Sequence, residues 1–241
     1  MISYTIADYI QGGSSFVFVV ISIIIGVTIL IKYFEYRNIQ LLLVGLVWIG
    51  ISTPWFPDSI NFIWLLLFST TIPITVSLLL GLVSLPVVMV LWILVFAEFL
   101  YAEQKNIIVL IFIIIGVIYE IVFITLLAIN PTLIGYYPVS ALQMVYTFGF
   151  EIFLLIFIAV FLVTGTLFAR ESLRSDKSEI RLKGKFLLIA FISFTIGSIL
   201  DSLNLGNPIF VIISRLILIS SGIEFYIGFI LPDRIKRVFL D

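Results

Sequence analysis

The chain has 241 residues, of which 62% are hydrophobic and 11% are charged, and its formal net charge is -1. Soluble domains contain about 45–50% apolar and about 25% charged residues, so the composition excludes an ordinary soluble protein. The chain contains no Cys and no His, which excludes disulfides, thiolate or imidazole catalysis and the usual zinc, copper and haem ligation.

Long apolar runs follow one another along the chain, separated by short segments with turn residues. A spanning helix needs roughly 17–25 apolar residues to cross a hydrocarbon layer about 30 Å thick. The sequence predicts eight such helices: Ser14 to Tyr33, Ile39 to Phe56, Ile60 to Leu80, Ser84 to Tyr101, Asn106 to Ile129, Gln143 to Ala169, Gly184 to Leu203 and Pro208 to Leu231. An alternative has seven crossings, with one run re-entrant or interfacial. Either way, we expect an all-α polytopic transmembrane bundle that forms a single integral membrane domain over residues 1–241.

Basic residues near the helix ends predict the orientation. The connection from Arg170 to Lys185 holds six Lys or Arg residues, and the tail from Arg234 to Arg237 holds three. Two crossings separate these segments, so the positive-inside rule predicts that both, and therefore the C-terminus, lie on the cytoplasmic face of the cell membrane. Eight crossings leave Lys32 and Arg37 outside, whereas seven bring them inside. We expect eight crossings with both termini cytoplasmic, because Glu35 dilutes these two positive charges.

Six ionisable residues lie within the apolar runs: Glu98, Glu120, Glu151, Asp201, Arg215 and Glu224. Glu98 is expected to be an interfacial residue near the basic Lys105, and the other five are the candidate functional residues. A charge at a helix centre costs about 2.5–3.5 kcal/mol on insertion scales, so such residues mark functional sites by default. Counted at about 1.5 Å per residue from the expected helix ends, Glu120, Glu151 and Arg215 lie roughly 10–14 Å below the outer surface. We expect these three side chains to form a cluster near the midplane.

Asp201 is expected at the outer mouth of this cluster, and Glu224 is a further candidate nearer the inner end. Arg215 can reach either Asp201 or one of the two glutamates. A site of this kind holds a small ligand such as an amine, a cation or a proton. The alternative is purely structural, with Arg215 and one glutamate forming a buried pair that fixes the helix packing.

Partners follow from the position of the charges. The basic connection from Arg170 to Lys185 is expected to face the lipid bilayer, with docking of a cytoplasmic protein partner as the alternative. Nucleic acid is not an expected partner. No Walker loop, dinucleotide fingerprint or metal motif is present, so we expect neither a cofactor nor enzymatic activity.

Three stretches, residues 45–62, 184–197 and 223–232, resemble segments of uncharacterised archaeal multi-spanning membrane proteins. That resemblance implies no activity. In helix count and length the chain is also similar to the seven-helix sensor module at the N-terminus of some histidine kinases. The chain ends about ten residues after its last predicted helix, so a sensor of this kind is expected to signal through a separate protein. A small cation- or proton-coupled transporter that uses the midplane cluster is the alternative function.

Overall fold

The computed structural model describes residues 6–137, 142, 144–203 and 208–240, and it is an all-α bundle, as predicted. Its α-helices, in chain order, are α1 (Ile6–Tyr36), α2 (Ile39–Ile51), α3 (Phe56–Phe68), α4 (Ile74–Leu82), α5 (Leu85–Leu100), α6 (Lys105–Ile129), α7 (Phe148–Leu173), α8 (Ser178–Ser202), α9 (Pro208–Ile230) and α10 (Asp233–Leu240). Short 3-10 turns occupy Thr53–Trp55 and Pro131–Leu133. Between α6 and α7, the two-residue strands β1 (Gly135–Tyr136) and β2 (Val145–Tyr146) pair antiparallel.

Seven helices in the described part of the chain are long and apolar enough to cross a membrane. α2 and α3 together form one of them, Ile39–Phe68, and α4 and α5 form another, Ile74–Leu100. The predicted run from Ile60 to Leu80 is therefore divided between two spans. It breaks where Ser69 adopts a left-handed conformation with φ 55° at the end of α3, and Pro73 then precedes α4. The described residues thus contain seven helices that can cross a membrane, which is the number of the alternative and not the eight expected, because the run from Ile60 to Leu80 is divided between two spans.

Nearly all basic side chains lie at one end of the bundle formed by these seven candidate spans. Consecutive spans run in opposite directions, so α1, α5, α7 and α9 end where α2, α6 and α8 begin. Every Lys and Arg except Arg215 lies near this end, which we call the basic end. Here Lys236 of α10 pairs with Glu179 of α8, and Lys183 Nζ donates to the Phe229 carbonyl at 3.0 Å. The other end is called the opposite end.

Close helix contacts in the bundle depend on glycine. A Cβ at Gly45 of α2 would lie 2.6 Å from the Gly26 carbonyl oxygen of α1, so only hydrogen fits between these backbones. In the α8–α9 pair, a Cβ at Gly197 would lie 2.8 Å from Leu218, and one at Gly228 would lie 2.6 Å from Leu187. One glycine of each helix therefore allows close approach, so that α8 and α9 are in tight contact near both ends of the pair.

A layer of aromatic side chains fills the middle of the bundle. Trp48, Trp92, Phe161, Phe191 and Phe225 are all fully buried. Their ring centroids lie 4.5 Å apart for Trp48 and Phe225, and 5.0 Å apart for Phe161 and Phe191. We call these five side chains the aromatic layer. α6 lies outside it at the periphery, where only Tyr119 and Phe123 of that helix are buried.

Candidate functional site

Arg215 is the centre of a polar cluster that joins four segments of the bundle. It lies seven residues after the start of α9, about 10 Å from that helix end, and is only 2% exposed. Its Nη1 donates to Asp201 Oδ1 of α8, and its Nε and Nη2 donate to Ser15 Oγ of α1 at 3.2 and 3.1 Å. Asp58 Oδ2 of α3 lies 4.0 Å from Nη2. The guanidinium carbon is also 5.7 Å from the centroid of Trp55, in the turn before α3.

Both carboxylates of the cluster are fixed by further donors. Gln11 Nε2 donates to Asp58 Oδ2 at 2.8 Å, and Trp55 Nε1 donates to Asp201 Oδ2 at 2.7 Å. Asp58 is buried, whereas the Asp201 side chain remains 21% exposed. Two carboxylates around a single guanidinium leave one negative charge without a counter-charge. Because an excess buried charge is costly, the cluster favours a bound proton or cation nearby.

A pocket of about 170 Å³ opens beside this cluster. Its polar walls come from Gln11, Asp58, Glu151, Ser198, Asp201 and Ser202, and its aromatic walls from Trp55, Tyr146, Phe157 and Phe194. Ser198 is 4% exposed, and its Oγ has no hydrogen-bond partner among the described residues. A buried polar group without a partner calls for an explanation, and a hydroxyl in a pocket wall is available to a ligand.

The connection between α6 and α7 forms one wall of the pocket. Met144, Val145 and Tyr146 line it, and the Thr147 amide donates to the Ile134 carbonyl at 2.9 Å beside the paired strands. Burial removes water from the Tyr146 phenol and thereby raises its pKa, and the nearby negative charge of Asp58 raises this pKa further. The side chain therefore presents a neutral ring and hydroxyl to the pocket throughout the physiological pH range.

Tyr137, which follows β1 in this connection, fixes it to the neighbouring span. Its hydroxyl donates to Ser77 Oγ of α4 at 3.0 Å, and partial burial raises the pKa of Tyr137 to about 12. The phenol therefore keeps its proton and this hydrogen bond near neutral pH. The contact ties the strand connection to α4 beside the pocket.

Of the predicted site residues, the structure brings together Arg215 and Asp201, which confirms one of the two pairings considered for the arginine. The predicted convergence of Glu120 and Glu151 on Arg215 is wrong, because neither forms an ion pair with it in the described structure. Glu151 also does not share the level of Arg215. α7 begins at Phe148 and not at Gln143, so Glu151 lies in its first turn, at the opposite end. It nevertheless lines the pocket.

The other two candidates lie away from the cluster. Glu120 is half-buried on the peripheral α6 and does not line the pocket. Glu224 lies on α9 on the basic-end side of Arg215, where its Oε1 accepts a hydrogen bond from Ser220 Oγ at 2.7 Å. Its Oε2 is buried without a partner in the described part of the chain. Neither residue belongs to the site around Arg215.

Sequence reasoning missed four members of the cluster: Gln11, Ser15, Trp55 and Asp58. Pro54 and Pro57 predicted a connection between two crossings, which placed Asp58 at the surface. In the structure the helix breaks at these prolines but the span continues as α3. A Pro-containing break followed by an acidic residue, inside an apolar stretch of 30 residues, is a signal for a discontinuous helix with a binding site at the break.

No family model, curated protein or solved structure matches the chain. The described residues contain no group of three or more Asp, Glu, Cys or His that could hold a metal ion. The chain is a multi-spanning helical membrane protein by the length and composition of its helices, and its function is inferred from the pocket and the Arg215 cluster.

Proposed function

We propose that the chain is a non-enzymatic, receptor-like membrane module, which binds a small ligand in the pocket and signals to a separate partner at the basic end. The observation that carries the proposal is the position of Arg215, which ties α9 to α1, α3 and α8 directly beside the pocket. A ligand that changes the charge near Asp58 or Asp201 alters these ties. The position of α9 then depends on whether the pocket is occupied.

The α8–α9 pair is the route by which such a change reaches the basic end. Close contacts at Gly197 and Gly228 hold the two helices together near both of their ends. At the basic end α9 is tied to α8 by the Lys183 hydrogen bond to Phe229. A movement of α9 at the pocket therefore acts on α10 and on the connection between α7 and α8.

The aromatic layer favours a receptor over a transporter. Phe194 lines the pocket, and its ring lies 5.5 Å from Phe161 and 6.0 Å from Trp48 of the aromatic layer. Along α8 and α9, Phe191 and Phe225 of the aromatic layer lie on the basic-end side of Phe194 and Arg215, so we infer that the layer lies between the pocket and the basic end. A cation- or proton-coupled transporter, the alternative, requires a path through this layer. A sensor requires none, and the seven crossings agree with the sensor-module architecture that the chain resembles.

The positive-inside rule supports a basic end in the cytoplasm of a cell with the pocket facing outward. This orientation places the N-terminus outside, in contrast to the eight-crossing expectation. The connection over residues 170–185 carries six basic and three acidic side chains, so it suits lipid headgroups or an acidic partner surface. The resemblance to archaeal multi-spanning proteins adds no activity to the proposal.

The proposal is tested by measuring whether the pocket controls the basic end. Because the chain contains no Cys, spin labels at Ser175→Cys and Arg237→Cys report one distance between the α7–α8 connection and α10. Asp201→Asn weakens the tie between α8 and α9 at the pocket. We expect it to shift this distance by about 1–5 Å, the range of helix shifts in known switches. Glu120→Gln, which lies outside the pocket, is the matched control. An unchanged distance in Asp201→Asn contradicts the proposal.

A further inference from the structure

We infer that the ligand of the pocket is a small organic cation, of the size of tetramethylammonium or choline; this inference rests on the proposed function. The first support is charge. The described residues that line the pocket include three carboxyls, Asp58, Glu151 and Asp201, and no Lys or Arg. Arg215, the cation that the described structure places nearby, is buried behind the wall and already engaged by Asp201 and Ser15. The pocket therefore attracts positive charge.

The second support is the aromatic lining. Trp55, Tyr146, Phe157 and Phe194 contribute ring surface to the pocket, and the negative faces of such rings attract organic cations. Trp55 is already within cation–π distance of the Arg215 guanidinium. Rings are poor ligands for a hydrated metal ion, which prefers oxygen donors. The combination of carboxylates and rings suits a cation that has an apolar surface.

The size of the pocket agrees with such a ligand. Its volume of about 170 Å³ is close to that of an engineered protein cavity of about 150 Å³ that holds benzene. A bare metal ion or a proton leaves most of this space and all of the ring surface unused. A quaternary ammonium group with a short substituent fills it.

The third support is the unpartnered hydroxyl of Ser198. It is buried, lines the pocket and has no partner among the described residues. A ligand with a hydroxyl or an N–H group donates to Ser198 Oγ while its cationic centre lies between the rings and the carboxylates. Choline has both a hydroxyl and a cationic centre, whereas tetramethylammonium lacks the hydroxyl, so choline is the better probe.

The test compares choline with its neutral isostere, in which carbon replaces the quaternary nitrogen. Binding to the full chain in lipid nanodiscs is measured by calorimetry at constant ionic strength. We expect choline to bind about tenfold more tightly than the isostere, because the two differ only in charge. Equal affinity overturns the inference of a cation and leaves a neutral ligand for the proposed receptor. If neither choline nor the isostere binds, the inference is also overturned.

Two matched pairs of variants locate the binding site. Glu151→Gln removes an exposed carboxyl from the pocket wall, and we expect about a tenfold loss of choline affinity with no change for the isostere. Glu120→Gln, outside the pocket, is expected to leave the affinities for choline and for the isostere unchanged. Phe157→Leu removes a ring from the wall and is expected to weaken choline about fivefold, whereas Phe161→Leu in the aromatic layer is expected to leave it unchanged. Unchanged affinity in both Glu151→Gln and Phe157→Leu overturns the placement of the cation.

The proposed signalling and the proposed ligand class can be refuted independently of each other. If choline binds with this pattern but does not change the distance between labels at positions 175 and 237, the cation site stands and signalling fails. If Asp201→Asn changes that distance and choline does not bind, signalling stands and the ligand class is wrong.

Discussion

Arg215 and Asp201 are expected to behave as one energetic unit. Arg215→Gln removes the guanidinium that bonds to Asp201 and to Ser15, and it leaves Asp201 and Asp58 without their shared counter-charge. Breaking a buried ion pair by removing one partner costs about 3–5 kcal/mol in soluble proteins. We therefore expect Arg215→Gln to lower the free energy of unfolding by about that amount.

The double variant Arg215→Gln/Asp201→Asn is expected to be less damaging than the sum of the two single changes. Removing the carboxylate charge along with its partner relieves the stranded charge, so the coupling energy should be about 1–3 kcal/mol. Unfolding by a denaturing detergent in mixed micelles measures all four members of the cycle. Arg174→Gln, which breaks the exposed pair with Glu171, is the control and is expected to change stability by less than about 1 kcal/mol. Additivity within about 0.5 kcal/mol would refute the pairing of Arg215 with Asp201.

Three further predictions concern the other candidates, the packing and the orientation. Glu120→Gln and Glu151→Gln should have additive effects on unfolding within about 0.5 kcal/mol, because the two carboxyls lie in separate places; a larger coupling would restore the midplane site. Gly45→Ala should destabilise the bundle by about 1–3 kcal/mol in the same assay, because its Cβ would meet the Gly26 carbonyl; Gly149→Ala, with nothing within 4 Å, should not. In intact cells an impermeant thiol reagent should label Ile6→Cys but not Ser178→Cys, and the reverse pattern would invert the proposed orientation.

The all-α bundle was predictable because the hydrocarbon core of a membrane offers no hydrogen-bond partners to the backbone. Each crossing needs a long apolar helix, and the runs in the sequence have that length. The number of crossings was less predictable, since Pro54 and Pro57 mark a break whether the chain leaves the membrane there or continues. In the structure the chain continues through the 3-10 turn Thr53–Trp55 into α3. The break thereby brings Asp58 and Trp55 into the bundle, where they contact Arg215.

The candidate site was predictable only in part, because counting residues gives depth and not direction around the helix. Asp201 and Arg215 follow from the sequence, since they lie on consecutive helices that are only a few residues apart in the chain. Glu120 is near the expected depth but on the peripheral α6, so depth alone says nothing about contact. Glu151 was misplaced for a different reason. The apolar residues before α7 read as helix, but Val145–Tyr146 pair with β1 as a strand.

The distribution of charge along the bundle links the pocket to the proposed ligand. Twelve of the 13 Lys and Arg residues lie toward the basic end, and the exception, Arg215, is buried against Asp201 and Asp58. Glu151, in the first turn of α7, adds a third carboxyl to the pocket wall. Excess negative charge therefore remains around the pocket mouth, and low-dielectric walls concentrate its field. A cation approaching from that side is drawn toward the rings, whereas an anion is repelled before it reaches Arg215.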